Sequence, residues 1–163
     1  MTLTSVAWSH PDAAALREAQ RVEVGQLYAH EASFTPGMPS EEIDSESVVA
    51  TFVAYDEDLP IGHIALRRLG DELEIKRMYV APPCRGSGVA NDLLVAVEHA
   101  AREAGARRLI LHTGNQQRAA IAFYGRHGYT PIAVYPPYED VTYSLCFEKV
   151  FSPDSGGGSG APA

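Results

Sequence analysis

The sequence is poor in cysteine and in basic residues, and it has no long apolar run. Its 163 residues include only two cysteines, Cys84 and Cys146, which are too few for a disulfide scaffold or a zinc finger; a reducing cytoplasm is the expected compartment. Thirteen Lys and Arg against 21 Asp and Glu give a net charge of −8, which argues against a general nucleic-acid binder. No stretch reaches the apolar length of a membrane span and the N-terminus lacks a signal-peptide pattern, so no membrane partner is expected.

What remains is the composition of an ordinary globular protein. Apolar residues make up 45% of the chain, and 163 residues are enough for one domain with its own core. Residues 1–150 are predicted to form that domain. Residues 151–163 are predicted to be a flexible tail, because Ser152 to Ala163 are rich in glycine and serine and lack core-forming side chains.

Periodicity and turn residues predict the element order β-α-(α)-β-β-β-α-β-α-β-β. The strands are predicted at residues 2–8, 48–55, 59–68, 74–80, 108–113, 129–134 and 141–150, and the helices at about 12–28, 89–104 and 118–127, with Ser9 or Asp12 capping the first. The acidic segment 31–47 is interpreted either as a solvated loop with a short helix or as a lid beside a substrate pocket. This order predicts an α/β (α+β) fold with a mixed central sheet of about six to seven strands flanked by about four helices.

The segment from Glu74 to Ala104 predicts a phosphate-binding loop. A strand ends at Pro82-Pro83, the loop Arg85-Gly86-Ser87-Gly88 follows, and a helix begins at about Val89. Free N–H groups at a helix start bind phosphate without a lysine, and the two glycines allow positive φ. Because no lysine follows Gly88, the loop is not a Walker A motif, and Asn91 stands where a dinucleotide fingerprint needs a third glycine or alanine.

Two motifs resemble those of the GNAT superfamily of N-acetyltransferases. Arg85-x-x-Gly88-x-Ala90 is similar to its (Gln/Arg)-x-x-Gly-x-(Gly/Ala) signature. The segment 117–129 is similar to its Asn-x-x-Ala-x-x-Phe-Tyr-x-x-x-Gly-(Phe/Tyr) pattern, with Gln117 in place of the asparagine. The element order resembles the GNAT fold through Val150, and the chain looks like a small-molecule branch of the superfamily.

The resemblance implies acetyl-CoA as co-substrate, without a metal. The family's backbone contacts to the pyrophosphate and the pantetheine arm, carried onto this sequence, fall on Met78, Tyr79, Val80, Arg85, Gly86, Ser87, Gly88, Val89 and Ala90, together with Asn115, Gln117 and Tyr124. The pantetheine amides would pair with the strand at Met78–Val80 as a β-augmentation.

Acetyl transfer to an amine needs a base, because an alkylammonium has a pKa near about 10. Many family members carry a glutamate base at the position of Glu74, and Tyr124 is the family's usual proton donor to the coenzyme A thiolate. Strand alternation is expected to place Glu74, Lys76, Met78 and Val80 on one face, with Glu72 as the reserve base.

The predicted function is transfer of acetyl to a primary amine of a small molecule, by direct attack in a ternary complex. Lys76, His112 and Tyr138 are the candidate substrate-binding residues, and a cation near the pocket favours an acceptor that also carries a carboxylate, as an amino acid does. The acidic residues Glu31, Glu41, Glu42 and Asp44 would instead suit a polyamine or aminoglycoside.

Several alternatives stay open. The chain could be a non-catalytic acyl-CoA-binding sensor of the same fold, or its acceptors could be peptide or protein N-termini. Tyr135, Tyr138 and Tyr143 are also typical packing aromatics. Cys84 lies beside a helix start but has no catalytic partners in sequence, and the histidines show no metal-ligand spacing. Acyl donors other than acetyl-CoA and a homodimer are further alternatives.

Overall fold

A computed structural model describes residues 1–30 and 42–153. The strands are β1 (Thr2–Ser5), β2 (Val48–Asp56), β3 (Leu59–Leu69), β4 (Glu72–Val80), β5 (Arg108–Gly114), β6 (Thr130–Ile132) and β7 (Ser144–Val150). The α-helices are α1 (Pro11–Leu27), α2 (Val89–Glu103) and α3 (Arg118–Arg126), and single 3₁₀ turns lie at Ser45–Ser47 and Pro82–Cys84. The predicted element order is confirmed, with three α-helices rather than about four in the described residues.

The seven strands of the described residues form one mixed sheet, as predicted, and the structure gives their order in it as β1-β2-β3-β4-β5-β7-β6. In the described part of the chain only β4 and β5 run parallel, and α2 is the crossover between them. β2, β3 and β4 form an antiparallel meander joined by short polar turns, and β1 pairs antiparallel with β2 although α1 lies between them in the chain. Phe151, which the sequence analysis assigns to the tail, is buried and its N–H donates to Arg107, so the core extends at least to this residue.

Helix α2 packs its apolar stripe on one face of the sheet. The stripe has helical spacing and consists of Val89, Leu93, Leu94, Val97 and Ala101, all buried. A Cβ at Gly62 of β3 would lie 2.9 Å from the side chains of Val89 and Leu93. The absence of a side chain at Gly62 therefore lets the start of α2, and the loop before it, approach the sheet closely.

Helix α1 covers the other face with a smaller cluster. Ala13 and Leu16 pack against Val53, with Val6, Tyr55 and Tyr79 around them. The N-cap is His10, whose Nδ1 accepts from the N–H of Asp12, so the expected caps Ser9 and Asp12 are wrong. Pro11 occupies the first helical position, where its missing N–H leaves one donor fewer to satisfy.

A β-bulge in β4 changes the predicted alternation. His63 pairs with Tyr79 and Ala65 pairs with Lys76, so one residue of β3 faces two of β4, and Arg77 takes φ +56°. Past the bulge, Met78 packs against the α2 core and Tyr79 against the α1 cluster. The expectation that Met78 and Val80 share a face with Glu74 and Lys76 is therefore wrong, because the extra residue shifts the alternation by one.

The two parallel strands separate where the bulge begins. Pairing between β4 and β5 is limited to Glu74 with Ile110 and Ile75 with Leu111. Beyond these pairs β5 continues beside β7, whereas β4 stays beside β3. The sheet thus opens at the carboxyl ends of β4 and β5, where α/β folds place their ligands. Within the described ranges, no helix combines the length and apolar character that crossing a membrane requires.

Candidate active site

A cavity of about 590 Å³ occupies the opening between β4 and β5. Helix α1 contributes one wall, α3 another, and the loop before α2 borders its end. Its lining includes these residues predicted from the sequence: Lys76, Met78, Tyr79, Val80, Arg85, Ala90, His112, Gln117 and Tyr124. The structure thus brings most of the predicted site residues to one concave surface.

Other predicted residues do not line this cavity. Gly86, Ser87 and Gly88 are exposed beside it, Val89 is buried in the core through its side chain, and Asn115 is exposed past the end of β5. Glu74 and Tyr138 lie beneath the cavity wall and have no solvent exposure.

The loop before α2 has the conformation that its glycines predict. Gly86 and Gly88 take φ values of +78° and +93°, and Gly88 is the N-cap of α2. The first bond of the helix runs from the N–H of Asp92 to the carbonyl of Gly88 at 3.1 Å, so the N–H groups of residues 89–91 have no acceptor within the helix. A helix start of this kind offers aligned donors and a positive dipole end to a phosphate.

The Arg85 side chain is held in two directions. Its Nε donates to the carbonyl of Val80 at 2.9 Å, and its Nη2 donates to the carboxylate of Glu23 on α1 at 2.7 Å. Both bonds tie the loop to β4 and α1. Arg85 therefore orders the rim of the cavity as well as adding positive charge to it.

Tyr124 reaches the cavity from α3 and is almost completely buried. Burial raises the pKa of its phenol above the ordinary value, so the hydroxyl stays protonated at neutral pH. The rings of Phe123 and Tyr129 pack edge-to-face against it and fix its orientation. Tyr124 is therefore a phenol that can donate a proton into the cavity.

Glu74 belongs to a buried polar network. Its Oε1 accepts from Arg67 at 2.7 Å and from the Tyr138 hydroxyl at 3.1 Å, and its Oε2 accepts from the Tyr135 hydroxyl at 2.6 Å. The Tyr138 hydroxyl in turn accepts from Lys76 Nζ at 2.7 Å. Every ionised or hydroxyl group of this network has a hydrogen-bond partner, as buried polar groups require.

Lys76 and His112 are the members of this region that reach the cavity. Burial lowers the pKa of Lys76 to about 8, against the opposing attraction of Glu74. Burial, with the positive charge of Lys76 and Arg67, lowers the pKa of His112 to about 3, so its imidazole is neutral. The His112 ring stacks on Tyr138 at 3.8 Å, and its Nε2 lies 2.8 Å from Ser144 Oγ.

The sequence analysis missed Tyr28, which closes one end of the cavity. Its hydroxyl accepts from the N–H of Gln116 at 3.0 Å, and its ring stacks on Tyr143 at 4.5 Å. A Cβ at Gly114 would lie 1.8 Å from that hydroxyl, so only glycine fits there. Gly114 directly after an apolar strand was the feature in the sequence that could have indicated this close approach.

The cavity is strongly cationic in a chain of net negative charge. Within the described residues its charged lining comprises five cations, Lys76, Arg77, Arg85, Arg118 and Arg126, and one carboxylate, Glu23. Arg118 and Arg126 on α3 were not predicted. Glu31 and Glu41 lie outside the described residues, whereas Glu42 and Asp44 are described and do not line the cavity.

Among the residues with described positions, no cluster of three or more His, Cys, Asp or Glu could hold a metal ion.

Comparison with known proteins gives the same family as the motifs. The model of the acetyltransferase (GNAT) family matches residues 13–129. An IAA acetyltransferase of Azospirillum brasilense is 39% identical over 88 residues, which cover 54% of this chain and 58% of that protein. An aminoalkylphosphonate N-acetyltransferase of Salmonella typhimurium is 43% identical over 56 residues, 34% of this chain and 36% of that protein. These alignments thus span less than two thirds of either relative.

A solved structure extends the similarity over the whole fold. A Klebsiella pneumoniae protein assigned to the acyl-CoA N-acyltransferases superposes with a TM-score of 0.74 at 27% identity, covering 91% of this chain and 96% of that one. The family match includes both the loop at Arg85–Ala90 and the helix that carries Tyr124. The chain therefore belongs to the acetyltransferase (GNAT) family.

Proposed function

We propose that this protein is an acetyl-CoA-dependent N-acetyltransferase that acts on a primary amine of a small molecule. The observation that carries the proposal is one continuous cavity, which extends from Arg85 and Ala90 beside the start of α2 to the opening between β4 and β5, with Tyr124 on its wall. The helix start suits the phosphates of an acyl-CoA, the strand edge suits its pantetheine arm, and Tyr124 can protonate the leaving thiolate.

Coenzyme binding rests mainly on backbone groups. The free N–H groups of residues 89–91 suit the pyrophosphate, and Arg118 and Arg126 extend the positive charge along α3. Past Ile75 the edge of β4 is not paired with β5, which leaves Met78–Val80 available to the pantetheine amides. The carbonyls of Met78 and Val80 already accept from Gln20 and Arg85, and a carbonyl oxygen can accept a second bond.

Tyr124 is assigned as the acid that protonates the leaving thiolate. Its raised pKa keeps the phenol protonated at neutral pH, so that a proton is available when the thiolate leaves.

Glu74 is assigned a role in removing the proton of the amine, and we propose that it acts indirectly, through Lys76 and the Tyr138 hydroxyl. Its carboxylate does not line the cavity, whereas Lys76 does and is linked to it through the Tyr138 hydroxyl. A proton leaving the acceptor ammonium would reach Lys76 first, in the fraction of molecules where Lys76 is neutral. The negative charge of Glu74 would then stabilise the protonated lysine 3.9 Å away.

An acceptor that carries an anionic group, as an amino acid does, fits the cavity better than a polycation. Arg77 and the protonated form of Lys76 lie on β4, away from the loop of α2 where the coenzyme phosphates are proposed to bind, so their positive charge is available to an anionic group of the acceptor. His112 and Lys76 border this part of the cavity, and Tyr138 supports both from below. The aminoalkylphosphonate specificity named for the Salmonella typhimurium relative is also that of an amine with an anionic group.

The test is thiol release from acetyl-CoA with free amino acids, their amides, an aminoalkylphosphonate and spermidine. We expect the anionic amines to have the highest kcat/KM, and Lys76→Ala to reduce their advantage over the amides. Faster turnover of amides and spermidine, with a ranking that Lys76→Ala leaves unchanged, would contradict the anionic acceptor. Specific acetylation of a peptide N-terminus would favour the peptide alternative.

A further inference from the structure

Gln20 links helix α1 to the unpaired edge of β4. Its side-chain Nε2 donates to the backbone carbonyl of Met78 at 2.7 Å, and its side chain lines the cavity. Because a carbonyl oxygen only accepts hydrogen bonds, this contact fixes the orientation of the amide. Nε2 faces Met78, and Oε1 points away from that carbonyl.

Oε1 of Gln20 is a buried acceptor without a donor. In the part of the chain that is described, only this atom and Thr51 Oγ1 are buried side-chain polar atoms with no hydrogen-bond partner. Thr51 does not line the cavity, so Gln20 is the one that a ligand in the cavity could satisfy. Buried amide oxygens are almost always hydrogen-bonded in folded proteins, because an unpaired one loses its hydration without compensation.

The position of Gln20 limits what the donor can be. Met78 lies three residues beyond Ile75, the last residue of β4 that pairs with β5, so the amide sits at the opening of the sheet. Under the proposed function two kinds of N–H group enter this opening. One belongs to the pantetheine amides of acetyl-CoA, and the other to the acceptor amine.

We infer that Oε1 of Gln20 accepts a hydrogen bond from an N–H group of a substrate bound in the opening between β4 and β5. The inference rests on the proposed function and adds a side-chain contact to it. Gln20 is then a positioning residue, because one end of its amide holds the strand edge and the other holds the substrate at a fixed distance from that edge.

Three variants separate this role from a purely structural one. Gln20→Leu removes both hydrogen-bonding groups, whereas Gln20→Glu removes the donor to Met78 and keeps an oxygen acceptor. Gln26→Leu is the matched control, since Gln26 is an exposed glutamine of the same helix that does not line the cavity. Thermal unfolding establishes that each variant is folded, and Gln20→Met replaces Gln20→Leu if the latter does not fold.

The first measurement is calorimetric titration with coenzyme A and with adenosine 3′,5′-bisphosphate, which lacks the pantetheine arm. The second is kcat/KM for the amine that the wild type acetylates fastest. If a pantetheine amide is the donor, Gln20→Leu weakens coenzyme A binding by about tenfold and leaves the bisphosphate unchanged. If the acceptor amine is the donor, coenzyme A binding is unchanged and kcat/KM falls by about tenfold, mainly through KM.

Whichever of the two falls in Gln20→Leu, coenzyme A affinity or kcat/KM, Gln20→Glu should retain more of it. Gln26→Leu should match the wild type in both. The inference is overturned if folded Gln20→Leu equals the wild type in both measurements, or if Gln20→Glu is as defective as Gln20→Leu, because the bond to Met78 alone would then explain the loss. A wild type that binds no coenzyme A would overturn the proposed function itself, and the inference with it.

Discussion

The Nδ1 atom of His63 lies 2.7 Å from the backbone carbonyl of Arg77 and joins the buried centre of β3 to the bulge of β4. His63 has no solvent exposure, and burial lowers its pKa to about 4. The neutral ring therefore donates from Nδ1 to the carbonyl, while Nε2 faces Arg17 at 3.4 Å. This bond holds the left-handed Arg77 conformation that sets the edge of β4 at the cavity.

The depressed pKa of His63 predicts a loss of stability in acid. The unfolded chain binds a proton near pH 6.5 that the folded protein does not bind until about pH 4, so stability is complete above pH 6.5 and falls as the pH drops. Between pH 7 and pH 5 we expect this residue to cost on the order of 2 kcal/mol of unfolding free energy. Urea denaturation at the two pH values measures it.

His63→Asn is the control, since its amide can still donate to Arg77 but does not titrate. The variant should lose less stability than the wild type between pH 7 and pH 5. His112 also has a lowered pKa and remains in both proteins, so the difference reports His63. Equal losses in the two proteins would show that His63 does not carry the effect.

Gly88 offers a test of phosphate binding in which charge alone is varied. Nothing lies within 4 Å of a Cβ at this position, and its φ of +93° strains asparagine and aspartate alike. Gly88→Asn therefore serves as the control for Gly88→Asp. Only the aspartate repels a phosphate, so we expect it to weaken coenzyme A binding at least about tenfold more than the asparagine. Similar affinities in the two folded variants, by calorimetry, would place the phosphate elsewhere.

Tyr124→Phe keeps the buried ring and removes the proposed proton donor. We expect kcat to fall by roughly 10²- to 10⁴-fold, with coenzyme A affinity nearly unchanged. Steady-state kinetics and calorimetry on the same preparation provide both numbers. A loss below about fivefold would assign protonation of the thiolate to water or to another residue.

Glu74→Gln should affect stability and catalysis together. The substitution leaves Arg67 without its buried counter-ion, which typically costs about 3–5 kcal/mol. We also expect kcat/KM to fall by about 10²-fold or more, most strongly below the pKa of the amine, where deprotonation is hardest. Glu72→Gln is the comparison, because Glu72 is the reserve base and its carboxylate binds Arg108 at the surface instead. A destabilised but fully active Glu74→Gln protein would make Glu74 a structural residue only.

The sequence predicted the sheet and the conformation of the loop before α2 because their determinants are local. Gly86 and Gly88 permit the positive φ values that this loop adopts, and the stripe of α2 is regular enough to place its buried face. The bulge at Arg77 could not be predicted, since the residue is neither glycine nor asparagine. Its conformation depends on His63, 14 positions earlier in the chain.

The residues that line the cavity were predicted less completely, because their contacts also join parts of the chain that are far apart in the sequence. Tyr28 meets Gln116 and Gln20 meets Met78 only after α1 has packed across the sheet. Neither residue belongs to a spaced motif. Glu74 was chosen from the resemblance to the family, which gave its position on β4 but not its burial beneath Tyr138, on a loop more than 60 residues later.

The central claim is that the protein acetylates an amine rather than only binding an acyl-CoA. Its most direct test is mass spectrometry of wild-type protein incubated with acetyl-CoA and the amine panel. We expect an acetylated amine and free coenzyme A in equal amounts, over many turnovers, at a rate that Tyr124→Phe reduces. Tight binding of acetyl-CoA without amine-dependent release of coenzyme A for any member of the panel would contradict it, and would favour a non-catalytic acyl-CoA sensor of the same fold.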